Sequence, residues 1–327
     1  MEAQRFPADY DGILAGAPAW NWTGLVTGGS ELMSRLEVSP LPAAKIPAIA
    51  AGVRAACDAQ DGVKDGVVND PRSCGFDPAT LVCKEGAGAD CLTVGEAATV
   101  KNLYAGAKDG AGKELTPGLL PGGEEGGNGW SSWITGTERA KSQGVFFGEG
   151  FFRNFVYEDP AWSLKSFSVD KDLAAAREKT GAAVDARDMN LKVFTGRGGK
   201  LILYHGWNDP GIPAKMSIEY FDGLKQTMGA TATDAAVRLY MVPGMQHCGG
   251  GPGATEFGAS GGSGSGDAEH DVFTALEQWV EVGKAPGTIV AVRHGADGFT
   301  RPLCVYPAVA KYVKGDTTDA KSFVCVR

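Results

Sequence analysis

The chain has no basic excess, no membrane-length apolar run, no C-x-x-C pair and no internal repeat. Its 31 Lys and Arg residues stand against 39 Asp and Glu, a net charge of −8 over 327 residues. Phosphate backbones bind basic surfaces, so nucleic acid is excluded as a partner. No stretch reaches the about 18 consecutive apolar residues of a membrane span, so no membrane association is expected. Without C-x-x-C spacing a zinc site is not expected either. The opening "MEAQRFPADYDG" is charged and polar, and lacks the apolar centre of a secretory leader.

What is present is a large apolar fraction, 43%, and 48 glycines. The first supports a sizeable core and the second a loop-rich protein. The length exceeds one average domain and suits one domain with a large insertion. Seven cysteines stand at positions 57, 74, 83, 91, 248, 304 and 325. Their spacing suggests local disulfides, Cys57 with Cys74, Cys83 with Cys91 and Cys304 with Cys325, which leaves Cys248 over. Disulfides point to a secreted or periplasmic protein. That conflicts with the leaderless opening.

"MEAQRF" reads as the tail of a helix stopped by Pro7, followed by a buried strand from about Gly12 to Ala15. A domain rarely begins on the last turns of a helix, so the chain is expected to be truncated at its N-terminus. Residues 190 to 300 alternate strand and helix. A strand from Lys200 to Tyr204 precedes a helix over "IPAKMSIEYFDGLKQTMG", with Pro213 in its first turn and Tyr220, Phe221, Leu224 and Met228 recurring. "AAVRLYMV" is the next strand. "DAEHDVFTALEQWVEVG" is a helix with Val272, Phe273, Leu276, Trp279 and Val280 on one face and Gly283 as its stop. "GTIVAV" is a last strand. This alternation predicts a parallel sheet. Residues 31–189 break the rhythm with glycine clusters, cysteine pairs and scattered tryptophans, and read as an inserted domain. "GASGGSGSG", 258–266, reads as a flexible surface loop.

Open parallel sheets place active sites beyond the carboxyl ends of their strands. Asp209 follows the strand ending at Tyr204, and His247 follows the strand ending near Val242. Asp then His on successive strand-end loops is the order of the α/β-hydrolase triad, which runs Ser, Asp, His. The imidazole deprotonates a weakly nucleophilic hydroxyl, and the carboxylate fixes its tautomer and stabilises its cation. Taken singly, an Asp in "NDPG" is a turn residue and a loop His is a surface group. His205 ends a strand, His270 sits in a helix and His294 in a polar loop. "GASGG" formally matches G-x-S-x-G at Ser260, but no strand precedes it and it follows the histidine. The serine is therefore expected upstream of residue 1. Asp58, Asp61 and Asp65 crowd three carboxylates into "DAQDGVKD", which on spacing alone reads as a solvated acidic turn and not as an EF-hand.

The segments "QRFPADYDGILAGAPAWNW", "CDAQDGVKDGVVNDPRSCGFDP", "YHGWNDPGIP", "PGMQHCGGGPG" and "RPLCVYPAVAKYVKGDTTDAKSFVC" resemble the tannase and feruloyl esterase family of α/β-hydrolases over nearly the whole chain. The resemblance implies Asp209 as triad acid and His247 as general base. It implies a nucleophile in a G-C-S-x-G-G segment before the stretch matching "MEAQRFP", whose cysteine bonds Cys248 and ties His247 to the serine. The oxyanion-hole amides fall in the same segment. It further implies a structural Ca²⁺ held by the side chains of Asp58, Asp61 and Asp65 and the carbonyls of Val63 and Val67, in a loop closed by Cys57 and Cys74.

The expected architecture is an α/β-hydrolase core, 1–30 and 190–327, incomplete at its N-terminus, with a lid over 31–189. The expected reaction is hydrolysis of esters of aromatic acids, of gallate, ferulate or terephthalate type, through an acyl-enzyme, with this chain inactive on its own. Phe151, Phe152, Phe155, Trp162 and Phe167 are candidate pocket residues. Two rivals stand beside it: a calcium-stabilised binding homologue without activity, and a metal-dependent hydrolase using Asp209 and His247 as ligands.

Overall fold

The computed structural model describes residues 1–86, 88–138, 141–259 and 266–327. Ser260 lies outside them, as do residues 260–265 of the glycine-serine tract. At the centre is a three-stranded parallel sheet in the order β1 (Gly12–Gly16), β2 (Lys200–Gly206), β3 (Val237–Val242). The register pairs Gly12 with Lys200 and Gly206 with Val242. Successive side chains of a strand point to opposite faces. Leu201 and Leu203 therefore pack with Val237 and Leu239 on one face. Ile202 and Tyr204 pack with Tyr240 and Val242 on the other. Both faces are covered, which is why the β2 sequence is apolar throughout rather than alternating. β1, expected to be buried, is half-buried along its length. Among the described residues its neighbour in the sheet is β2.

Of the two longest helices packed on the sheet among the described residues, one, Lys215–Met228, lays Tyr220, Phe221 and Leu224 on the first face. The other, Val272–Val282, lays Val272, Ala275, Leu276 and Trp279 on the second. The Asp271 carboxylate accepts from the Thr274 amide at its start, and Gly283, at φ +73°, ends it. Phe273, expected on the packed face, is exposed, and Ala275 takes its place.

Most of residues 22–184 are helical and share an apolar cluster that includes Leu36, Ile49, Leu103, Trp130 and Phe152. The expected boundary after residue 30 falls inside the helix Trp22–Val38. Its glycines at 24, 28 and 29 suggest a loop, but Leu25, Val26, Leu32, Met33 and Leu36 keep helical spacing straight through them. Ile289–Arg293, expected as a further parallel strand, instead pairs antiparallel with Phe299–Leu303. Residues 294–298 join them, too short a link for the crossover of about a dozen residues that parallel pairing needs. A second hairpin pairs Val309–Tyr312 with Phe323–Val326. Cys57–Cys74, Cys83–Cys91 and Cys304–Cys325 are disulfides, and Cys248 is a free, half-buried thiol. No helix is long and apolar enough to cross a membrane among the described residues.

Candidate active site

The loops after β2 and β3 are bound to each other. The amides of Trp207 and Asn208 donate to the carbonyls of Val242 and Met245, both at 3.0 Å. The approach is close enough that a Cβ at Gly206 would lie 2.2 Å from the Met245 carbonyl oxygen, so the last residue of β2 has to be glycine. Asp209 and His247 sit on these loops, and His247 Nδ1 donates to Asp209 Oδ2 at 2.8 Å.

Asp209 is 2% exposed. Its Oδ1 accepts the amides of Gly211 and Ile212, at 2.8 and 2.9 Å. Its Oδ2 faces His205 Nε2 at 3.3 Å as well as His247. Burial alone pushes its carboxyl up, but the hydrogen bonds and charge of His205 and His247 outweigh burial and hold it at about 2. His247 is pushed the other way. The Asp209 hydrogen bond and charge raise it above its ordinary value against the opposing effect of burial. With Nδ1 committed to the carboxylate, Nε2 is the nitrogen left to take a proton. The sequence reading passed over His205, which is fully buried. Its Nε2 lies 2.9 Å from the Ile212 carbonyl, which only accepts, so Nε2 carries the proton. Nδ1 lies 2.7 Å from Ser217 Oγ. The signal was its position one residue before the strand end, where the side chain must turn into the loop that carries Asp209.

The segment 122–133 clamps the histidine loop from the other side. Gln246 is fully buried, and its Nε2 donates to the carbonyls of Gly123, at 2.9 Å, and Glu125. Asn128 Nδ2 donates to the carbonyls of His247, at 2.9 Å, and Gly249. These two carbonyls flank Cys248, which adopts φ +56°, a left-handed conformation uncommon outside glycine. Asn128 Oδ1 accepts from Trp133 Nε1 at 3.0 Å, and the Trp133 ring meets the His247 ring edge-on at 5.0 Å. Sequence reasoning missed Asn128, Trp133 and Gln246, because two of them bond backbone carbonyls and leave no motif.

An apolar cavity of about 130 Å³ opens beside His247, walled by Trp22, Leu25, Met33, Trp133, Phe147 and Ile212, among others. The candidate pocket aromatics are elsewhere. Phe151, Phe152 and Trp162 are buried in the helical cluster, Phe167 packs against it and Phe155 is exposed. None of the five lines the cavity beside His247.

The acidic loop 58–67 reaches the histidine loop through Val67, whose side chain lies against Gly244. Asp58 Oδ1 accepts the amides of Asp65 and Gly66, Asp61 Oδ1 that of Val63, and Asp65 Oδ1 that of Val67. Arg301 donates to Asp65 Oδ2. Among the described residues no three acidic, histidine or cysteine side chains are grouped as metal ligands. The donor chemistry nevertheless suits a hard cation. Burial, then the charges of Asp65 and Asp58, push Asp61 above its ordinary range despite the Val63 amide and Arg301.

The family model described as tannase and feruloyl esterase matches residues 1–326. An uncharacterized esterase of Xanthomonas campestris pv. campestris is 37% identical over 366 residues, with 100% of this chain and 62% of that protein covered. The mono(2-hydroxyethyl) terephthalate hydrolase of Piscinibacter sakaiensis is 32% identical over 389 residues, covering 99% and 61%. This chain thus spans somewhat over three fifths of the length of these relatives. The crystal structure of feruloyl esterase B from Aspergillus oryzae superposes with a TM-score of 0.89 at 28% identity, covering 99% of this chain and 66% of that one. The fold is that of the α/β-hydrolases, and the chain belongs to the tannase and feruloyl esterase family.

Proposed function

We propose that the protein is a carboxylic ester hydrolase acting on esters of aromatic acids, with His247 as general base and Asp209 as its orienting acid. The observation that carries this reading is the 2.8 Å hydrogen bond between His247 Nδ1 and a buried, ionised Asp209 at the mouth of an apolar cavity. His247 Nε2 takes the proton of the attacking hydroxyl, Asp209 stabilises the imidazolium, and the proton is then handed to the leaving alcohol. Among the described residues that line the cavity none is a serine. By the family resemblance the nucleophile is assigned to a G-C-S-x-G-G segment preceding residue 1, and Cys248, beside the base, to a disulfide with the cysteine of that segment. The inserted segment, expected over 31–189 and opened by the helix Trp22–Val38, serves as the lid over the site, bonded to the histidine loop through Asn128 and Gln246. The loop 58–67 holds one structural Ca²⁺ through Asp58, Asp61 and Asp65 and the carbonyls of Val63 and Val67, where the ion neutralises crowded carboxylates and takes no part in the chemistry. Three disulfides favour a secreted or periplasmic protein; recovery from the cytosol with all seven cysteines reduced would contradict that placement.

The test is turnover of methyl gallate, methyl ferulate and a terephthalate monoester by two proteins. One is the 327-residue chain and the other the product of the same gene read in frame from upstream. Loss of a nucleophile costs about 10⁶ in kcat. The expected result is turnover by the longer protein, abolished by His247→Ala, and none by the shorter. Turnover by the 327-residue chain that depends on His247 places the nucleophile inside it. No turnover of any ester by the longer protein overturns the reading.

A further inference from the structure

The turn 121–125 is bonded to both loops that carry the catalytic pair, and in each it holds the residue just before the catalytic one. Asn208 precedes Asp209, and its Nδ2 donates to the Pro121 carbonyl at 2.8 Å. Gln246 precedes His247, and its Nε2 donates to the carbonyls of Gly123 and Glu125. Both side chains are buried. Asn208 Oδ1 and Gln246 Oε1 have no partner among the described residues, so the turn is the only group there that either side chain bonds. The approach is tight: a Cβ at Gly123 would lie 2.4 Å from Asn208 Cβ. The turn is closed by its own carboxyl. Glu124 is 1% exposed. The Gly122 amide donates to its Oε1 and Oε2 at 3.0 and 3.1 Å, and the Tyr104 hydroxyl donates to its Oε1 at 2.6 Å. Tyr104 stands on the helix Val94–Ala105 and packs against the helical cluster, so this bond ties the turn to that cluster.

We propose that Glu124 is a positioning residue that sets the geometry of the Asp209–His247 pair through the turn 121–125. The proposal rests on the reading of His247 as general base and Asp209 as its orienting acid. Glu124 acts through its neighbours. It fixes where Pro121, Gly123 and Glu125 present their carbonyls, and these fix Asn208 and Gln246, each one residue from a member of the pair. The 2.8 Å bond between His247 Nδ1 and Asp209 Oδ2 is thus held from both ends by one turn. An apolar side chain at 124 would leave a buried amide and a buried hydroxyl without an acceptor. The charge of the carboxyl is not required. Burial pushes Glu124 above its ordinary range against the hydrogen bonds of Tyr104 and Gly122, and the neutral acid still offers Oε1 to both donors.

The experiment titrates His247 by carbon-detected NMR in the 327-residue chain, its signal assigned by loss in His247→Gln. Asp209 raises the His247 midpoint, so the midpoint reports on the pair. Glu124→Met keeps the length of the side chain and removes its acceptors, and the midpoint should fall toward about 6.5. Glu124→Gln keeps Oε1 for both donors and should hold the wild-type midpoint. Tyr104→Phe removes one donor and should lower the midpoint by less; it decides the matter if Glu124→Met does not fold. The control for a purely structural role is Asp172→Asn. Asp172 is fully buried in the inserted segment and likewise accepts from a tyrosine hydroxyl, that of Tyr157, and from a backbone amide, that of Ser168 at 2.7 Å. Its loss should lower the melting temperature and leave the midpoint in place. In the longer protein Glu124→Met should lower kcat with KM unchanged, by up to the about 10²-fold that a misplacement of about 1 Å costs. A wild-type midpoint in Glu124→Met, or in Tyr104→Phe where that variant decides, overturns the proposal, as does an equal fall in Glu124→Gln or Asp172→Asn. Absence of turnover by the longer wild-type protein sinks the hydrolase reading, and the His247 midpoint still tests the turn.

Discussion

Asp209 and His247 were legible from sequence because strand-end position and chain order are both one-dimensional properties. What was not legible is how Asp209 stays charged while buried. Two backbone amides and two imidazoles converge on it, and one imidazole belongs to His205, a residue that reads only as the end of a strand. The arrangement has a pH signature. Asp209 is held below its ordinary value, so its contribution to stability is present above the unfolded value of about 3.9. It is lost as pH falls through about 2. His247 is held above its ordinary value. Its contribution is fully present below about 6.5 and is lost as pH rises through the raised value. Asp209→Asn removes both. The melting-temperature gap between wild type and this variant should be widest between about pH 4 and pH 6.5 and should narrow on either side. A gap that is flat from pH 3 to pH 9 would show that the pair is not coupled. Carbon-detected titration of His247 should show its midpoint falling in the same variant.

Elements with a clear period were readable, and elements whose partner is set by link length were not. β2, β3 and the two helices that cover them follow from apolar runs and three-to-four spacing. The strand at Ile289–Arg293 has the same apolar run, but its short link to Phe299–Leu303 takes it out of the parallel sheet. The helix Trp22–Val38 was hidden by its own glycines. Between these lies the loop 58–67, where three carboxylates were visible in sequence and the nearby guanidinium, 236 positions away from Asp65, was not. If calcium occupies this loop, it binds the folded state alone and stabilises by about 2.7 kcal/mol at a hundredfold excess over Kd. Chelation should lower the melting temperature, added Ca²⁺ should restore it, and Asp61→Ala should show neither response. Identical melting curves with and without chelator, and no calcium by elemental analysis, would remove the ion from the account.

At the scale of the whole molecule, the C-terminal hairpins join the acidic loop to the rest of the protein. Val63 packs in one apolar cluster with Cys304, Ala310 and Phe323. Asn69 Nδ2 donates to the Ala310 carbonyl at 2.6 Å. Arg301, 8% exposed, lies between the rings of Phe299 and Phe323, at 4.4 and 4.3 Å, and reaches Asp65. The contacts of Val63, Asn69 and Asp65 with these hairpins could not be read from sequence, since each joins residues more than 200 positions apart and none has a periodic signature. They make a sharp energetic claim. Both side chains of the Arg301–Asp65 pair are largely buried, at 10% and 14% exposure. Removing one member of such a pair leaves the other as an uncompensated charge and costs about 3–5 kcal/mol, whereas removing both costs less than the sum. Arg301→Met, Asp65→Asn and the double variant should therefore form a non-additive cycle in urea melts run with chelator, so that metal binding does not enter. The single Arg301→Met variant should be the worst of the three, because it takes the buried guanidinium from Asp65 and leaves that carboxylate beside Asp61 and Asp58. Strictly additive losses would mean that the guanidinium is held by the two phenyl rings alone and that the acidic loop is anchored by its apolar contacts.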